Sequence, residues 1–199
     1  MFNVQSSMFH VQWSMVNVLS SRVWRCEQRL TFIVFCLAVF GSCISEDPDK
    51  DSQGANLVVG DTLPTFQVTM NDGSTICTRD LLGGVSVVVF FNVGCGDCRV
   101  ELPEVQRLWN WQLGVPIVLI AREDTEEAIE AFWQQEQFTM TYSPQSDRKV
   151  YSLFASSRIP RIYVCDSRGV IRYSHTDEAM PTAEQLADEI KTLLTKPLS

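Results

Sequence analysis

The 199-residue sequence contains no run of Lys or Arg; its sixteen basic residues are outnumbered by twenty-four acidic ones, for a formal net charge of −8. Phosphate binding needs clustered positive charge, so nucleic acid is excluded as a partner. No apolar stretch reaches the length of about 20 residues that crosses a bilayer; the run Leu30 to Phe40 has eleven. No internal repeat is visible. Cysteine is too sparse for a disulfide scaffold: of seven, Cys26, Cys36 and Cys43 lie in an N-terminal extension, and Cys77, Cys95, Cys98 and Cys165 lie in the body. At 45% hydrophobic the chain can bury a core, and its length fits one domain plus an extension.

The extension reads as a secretion signal. Arg22, Arg25 and Arg29 supply positive charge, the run LTFIVFCLAVF is broken only by Thr31, and the small residues Gly41 and Ser42 follow. Phe40-Gly41-Ser42-Cys43 resembles the lipobox of bacterial lipoproteins, with Phe where Leu is usual, and implies that Cys43 is lipidated. An uncleaved anchor, or an ordinary buried helix ending at Cys43, are the competing readings. Residues 1–42 are therefore expected to be a signal peptide; Met8 and Met15 are alternative starts, which makes residues 1–20 a candidate mis-called beginning. Residues 43–57 are the lipidated Cys and a polar, acidic linker, too poor in apolar side chains to fold, with a reach on the order of 20 Å. The acidic residues just past Cys43 resemble the surface-export signal of Bacteroidetes lipoproteins. The expected location is the cell envelope, with the body outside the cytoplasm and held to a membrane by the lipid.

From Val58 onward, helix and strand patterns alternate. Phe66 to Met70 and Thr75 to Cys77 flank Asn71-Asp72-Gly73, a hairpin turn signal. Val85 to Asn92 is a continuous apolar run rich in β-branched and aromatic residues, which predicts a central strand buried on both faces. A helix follows from Cys95 to about Trp111, then a buried strand over Pro116 to Ala121. Thr125 caps a helix to Gln135 with acidic residues in its first turn. A short strand over Phe138 to Thr141 and a helical turn over Val150 to Phe154 come next. Arg161 to Cys165 and Val170 to His175 form a second hairpin, and Pro181 to Leu194 is an amphipathic helix with Leu186, Ile190, Leu193 and Leu194 facing inward. This order predicts an α/β sandwich with a mixed sheet.

Cys95-Gly96-Asp97-Cys98 falls just after a buried strand, at the start of a helix. Free N–H groups and the positive end of the dipole stabilise an anion there, so Cys95 should ionise more readily than a free Cys. The thiolate is the attacking species, and Cys98, one turn along, is placed to resolve a mixed disulfide. The competing chemistries lack residues. Zinc needs four ligands, and only Cys77, Cys165 and His175 remain in the body without suitable spacing. Covalent haem attachment needs His after the second Cys, where Arg99 stands. A structural disulfide is the plain alternative. No metal and no cofactor are expected.

Phe90-Phe91-Asn92-Val93-Gly94-Cys95-Gly96-Asp97-Cys98-Arg99-Val100-Glu101-Leu102-Pro103 resembles the active-site strand and helix of thioredoxin-like proteins, in particular the membrane-tethered ResA/TlpA-like group. Val59-Gly60-Asp61-Thr62-Leu63-Pro64-Thr65-Phe66 is similar to that group's opening segment, and Arg158-Ile159-Pro160-Arg161 to its cis-proline loop. The resemblance implies a thioredoxin-like α/β/α sandwich over residues 58–199, with a mixed central sheet and an extra N-terminal β-hairpin. It implies Cys95 as nucleophile, Cys98 as resolving thiol, and Pro160 cis beside them, with Ile159, Pro160 and Arg161 meeting substrate. Glu101, on the same helical face as Cys98, resembles the group's buried carboxylate and is a candidate proton shuttle; a solvated helix charge is the alternative. Pro103 would kink the helix.

Three departures stand out. Val89 replaces the buried Asp of classical thioredoxins, Gly94 replaces a usual Trp, and Arg161 replaces a small hydroxyl residue. Arg161 and Arg158 are either cations near the thiolate or exposed loop charges. Cys77 and Cys165, each on a strand, read as inert core thiols.

The expected function is thiol–disulfide oxidoreduction on disulfide-containing exported proteins, with an unidentified membrane electron donor or acceptor completing the cycle. A peroxiredoxin-like peroxidase is the alternative enzyme, although Asn92 stands three residues before Cys95 where that class has Thr or Ser. A non-enzymatic lipoprotein with this fold is the third reading.

Overall fold

The apolar run after Gly84 takes the middle of a five-stranded sheet in the computed structural model, which describes residues 56–195. The signal peptide, Cys43 and most of the linker lie outside the described residues. A small hairpin of β1 (Gln67–Thr69) and β2 (Thr75–Cys77) comes first, followed by a 3-10 turn at Thr78–Leu81. Then come β3 (Ser86–Phe91), α1 (Gly96–Asn110), β4 (Ile117–Ala121), α2 (Glu126–Glu136) and β5 (Tyr142–Ser143). A short α3 (Lys149–Ser152), β6 (Arg161–Cys165), β7 (Ile171–Thr176) and α4 (Ala183–Thr195) complete the order.

The sheet runs β5-β4-β3-β6-β7. β3 is parallel to β4 and β4 to β5, while β6 is antiparallel to both β3 and β7. Every residue of β3 and β4 is buried, which is why both read as unbroken apolar runs rather than alternating ones. Neighbouring residues of β3 still separate by face. Phe90 meets Tyr151, Phe154 and Tyr163, whereas Phe91 meets Trp133 of α2. Each such fully buried side chain contributes about 1.5–3 kcal/mol.

Two expected features differ. The strand forms at Tyr142–Ser143 rather than over Phe138 to Thr141. Side chains occupy the earlier backbone: Gln106 Oε1 accepts the N–H groups of Thr139 and Met140, and Trp133 Nε1 donates to the Met140 carbonyl. With those groups spent, no ladder can start there. In α4, Leu186 and Ile190 are buried and Leu193 packs half-buried against the core, but Leu194 is exposed, at 54%.

The segment joining α3 to β6 is held at several points. Tyr151 donates its hydroxyl to the Arg158 carbonyl at 2.6 Å, and Arg161 Nε donates to the Ser157 carbonyl at 3.0 Å. At the start of the described chain, Asn56 Oδ1 accepts from both the N–H and the hydroxyl of Ser156. The N–H of Leu57 donates to the Phe154 carbonyl.

Candidate active site

β3 delivers the chain to the CxxC, and antiparallel β6 returns a second segment to the same end of the sheet. The register pairs Phe90 with Arg161, so Ile159 and Pro160 arrive beside the residues that follow β3. The Ile159–Pro160 peptide is cis. Cys95 is the N-cap of α1, in extended conformation, and its sulfur accepts the Cys98 N–H at 3.4 Å. Its thiol faces the Ile159 carbonyl at 3.6 Å. The sulfur therefore stands at the positive end of a 15-residue helix.

Cys98 is fully buried. Burial pushes its thiol well above the ordinary range, and the bond to Cys95 adds to this; the nearby Asn92 backbone and the Arg122 charge offset part of it. Both cysteines are free thiols. The pair is thus asymmetric, with Cys95 half-buried and approachable and Cys98 enclosed and needing a base before it can attack.

One turn beyond Cys98, Glu101 is 2% exposed and its Oε1 has no hydrogen-bond partner. Burial, assisted by the charge of Glu104, raises its carboxyl to about 8. A carboxyl in that range exchanges protons near neutral pH. Pro103 lies inside α1, where the missing N–H removes one helical hydrogen bond.

On the β4 side, Asp124 reaches the segment that precedes the nucleophile. Its Oδ1 accepts from Asn92 Nδ2 at 2.6 Å and its Oδ2 from the Val93 N–H at 2.9 Å. Arg122 sits between: its N–H donates to the Phe91 carbonyl, its guanidinium meets Glu123 at 3.1 Å, and its Cζ lies 6.0 Å from the Tyr151 ring.

The model of the AhpC/TSA family matches residues 59–174, well over half of the chain and the whole of this site. The chain belongs to the AhpC/TSA family. Among curated members, it is 28% identical over 119 residues to the thiol-disulfide oxidoreductase ResA of Oceanobacillus iheyensis, a match that spans 57% of this chain and 62% of the relative. It is 24% identical over 175 residues to ResA of Bacillus thuringiensis, spanning 84% of this chain and 98% of the relative. The crystal structure of the thioredoxin domain of a thiol-disulfide oxidoreductase from Bacteroides vulgatus superposes with a TM-score of 0.58 at 20% identity, covering 69% of this chain and 98% of that one. The fold is that of thioredoxin, and the protein is a thiol–disulfide oxidoreductase.

Within this AhpC/TSA protein, Cys95, Cys98, Glu101, Ile159 and Pro160 gather at one end of the sheet. The guanidinium of Arg161 does not join them. It is buried, donating to the Ser157 carbonyl and the Tyr163 hydroxyl, so it is neither a cation offered to the site nor an exposed charge. Arg158 is turned to Asp177 and Glu178. Cys165 is fully buried, its thiol raised to about 12 by burial and by the neighbouring Asp166, while Cys77 is only half-buried. His175 pairs with Glu189 at 3.0 Å. Sequence reasoning missed Asp124 and Arg122. Their signal was position: polar residues just past the C-terminal end of a buried parallel strand, where α/β proteins place their sites.

Proposed function

We propose that the chain reduces or exchanges disulfides in exported proteins, with Cys95 as the attacking thiol. The observation that carries this reading is the Cys95 sulfur at the α1 N-terminus, beside the Ile159 carbonyl, with a buried thiol one turn behind it. The Cys95 thiolate attacks one sulfur of the client disulfide; the S–S bond breaks and one client thiolate leaves. Glu101 in its ionised form takes the proton of Cys98, whose thiolate then attacks the Cys95 sulfur and releases the second client thiolate. The client gains two electrons and the Cys95–Cys98 disulfide forms. An external dithiol restores it, and the membrane supplies that donor if Cys43 carries the lipid anchor. Ile159 and Pro160 hold the client chain alongside Cys95.

Turbidimetric insulin reduction with dithiothreitol tests the reaction. Cys95→Ala abolishes it without trapping a client. Cys98→Ala accumulates a mixed disulfide, because the first attack survives and the second is lost. Trapping by Cys95→Ala instead overturns the order.

A peroxiredoxin-like peroxidase is the second reading. Asn92 argues against it, since the side chain three residues before Cys95 is occupied by Asp124 and the Gly94 N–H. Hydrogen peroxide consumption without a disulfide substrate separates the two.

A further inference from the structure

The three backbone N–H groups that lead into the nucleophile are all engaged. Val93 donates to Asp124 Oδ2 at 2.9 Å, Gly94 to Asn92 Oδ1 at 2.9 Å, and Cys95 to the Asn92 carbonyl at 3.1 Å. Asn92 Nδ2 closes the circuit on Asp124 Oδ1 at 2.6 Å. From α1, Arg99 Nε donates to the Val93 carbonyl at 2.8 Å. Successive N–H groups left free in a turn gather into an anion-binding concavity; here none is spare. Gly94 belongs to the same arrangement, because a Cβ there would lie 3.1 Å from Asn92 Oδ1.

We propose that Asp124 and Asn92 are positioning residues for Cys95, a clamp that fixes residues 92–95 so that the sulfur stands at the α1 N-terminus beside the Ile159 carbonyl. This rests on Cys95 being the attacking thiol. Neither clamp residue touches the reacting sulfurs; they act through the segment that carries one of them. A reacting atom displaced by about 1 Å loses up to about a hundredfold in rate, so a segment of four residues held by one carboxylate is a sensitive point.

The clamp has a polarity that makes it testable. Asp124 only accepts, whereas Asn92 accepts at Oδ1 and donates at Nδ2. Asp124→Asn sets two amide donors against each other unless one flips, and a flip gives up the Val93 or Gly94 bond. Asn92→Asp sets two carboxylates against each other. The double exchange, N92D/D124N, restores all three side-chain bonds with donor and acceptor reversed: Asp at 92 accepts from Gly94 and from the new amide, whose oxygen accepts from Val93.

The experiment measures, on the full chain and well below each melting midpoint, the alkylation rate of Cys95 at pH 7 by peptide mapping. The exchange rate with oxidised glutathione is measured alongside. Each single variant is expected to slow both by about tenfold, and the double variant to return within about threefold of the parent. Single variants at the parental rate, or a double variant as slow as the singles, overturn the clamp. A lowered melting midpoint with unchanged rates in the folded protein does the same, since it assigns these residues to stability alone. A parent that does not exchange with glutathione, while alkylation still follows the cycle, removes the disulfide exchange proposed for Cys95 above, and the clamp on its sulfur then stands on the alkylation rates.

Discussion

Glu101 is buried, with one oxygen unpartnered, and its carboxyl is raised to about 8. Between the ordinary glutamate range and pH 8 the folded chain keeps a proton that the unfolded chain has lost, so stability falls as pH rises across that window. Glu101→Gln removes this dependence. Its melting midpoint, relative to the parent, should rise from pH 5 to pH 8, by an amount on the order of a few kcal/mol at most in free energy; a constant difference would place the carboxyl in the ordinary range. The same substitution should slow resolution by Cys98 more than attack by Cys95. Stopped-flow exchange across pH distinguishes the two steps, and the component near pH 8 should disappear. Residue types were the readable part of this site. The CxxC was legible from its spacing at a strand-to-helix junction; Glu101 and Pro160 were legible only through the resemblance to a known group, and the fold buries Glu101 and makes the Ile159–Pro160 bond cis. Asp124 was not, because its partners lie 31 and 32 residues away and only the folded sheet brings them together. Arg161 misled because sequence shows a charge without showing that Tyr163 and the Ser157 carbonyl absorb it.

Among the elements, α1 has two tasks that meet at Glu104. Its Oε2 accepts the Ala183 N–H at 2.9 Å, which places a carboxylate at the N-terminus of α4, and it pairs with Arg107, itself paired with Glu184. Its charge also helps keep Glu101 protonated. Glu104→Gln should therefore have two separable effects. Loss of the charged cap should cost about 1 kcal/mol in urea denaturation. Removal of a like charge should move the Glu101-dependent resolving step to lower pH. A stability loss without the pH displacement would leave Glu104 with the cap alone. Element types and their order were legible from periodicity. Failures came where side chains took over backbone groups, as Gln106 and Trp133 do before β5.

For the whole molecule, the expected envelope location depends on a residue outside the described structure. If Cys43 is acylated, each buried methylene contributes about 0.8 kcal/mol and two or more chains hold the protein stably at a membrane. Cys43→Ala should then leave the precursor unprocessed and lose metabolic fatty-acid labelling, read on gels of membrane fractions. Unchanged labelling and processing would refute the anchor. Fold class was legible at this scale because strand and helix patterns alternate cleanly; strand order was not, since the parallel β4 and antiparallel β6 flanking β3 differ in no local signal.

Asn56, the first described residue, has its side chain fastened to Ser156. Ser156 is three residues from Ile159, at most about 11 Å of extended backbone. If Cys43 carries a lipid, a pull transmitted along the chain to Asn56 is delivered beside the cis-proline segment, not at the far pole of the sheet.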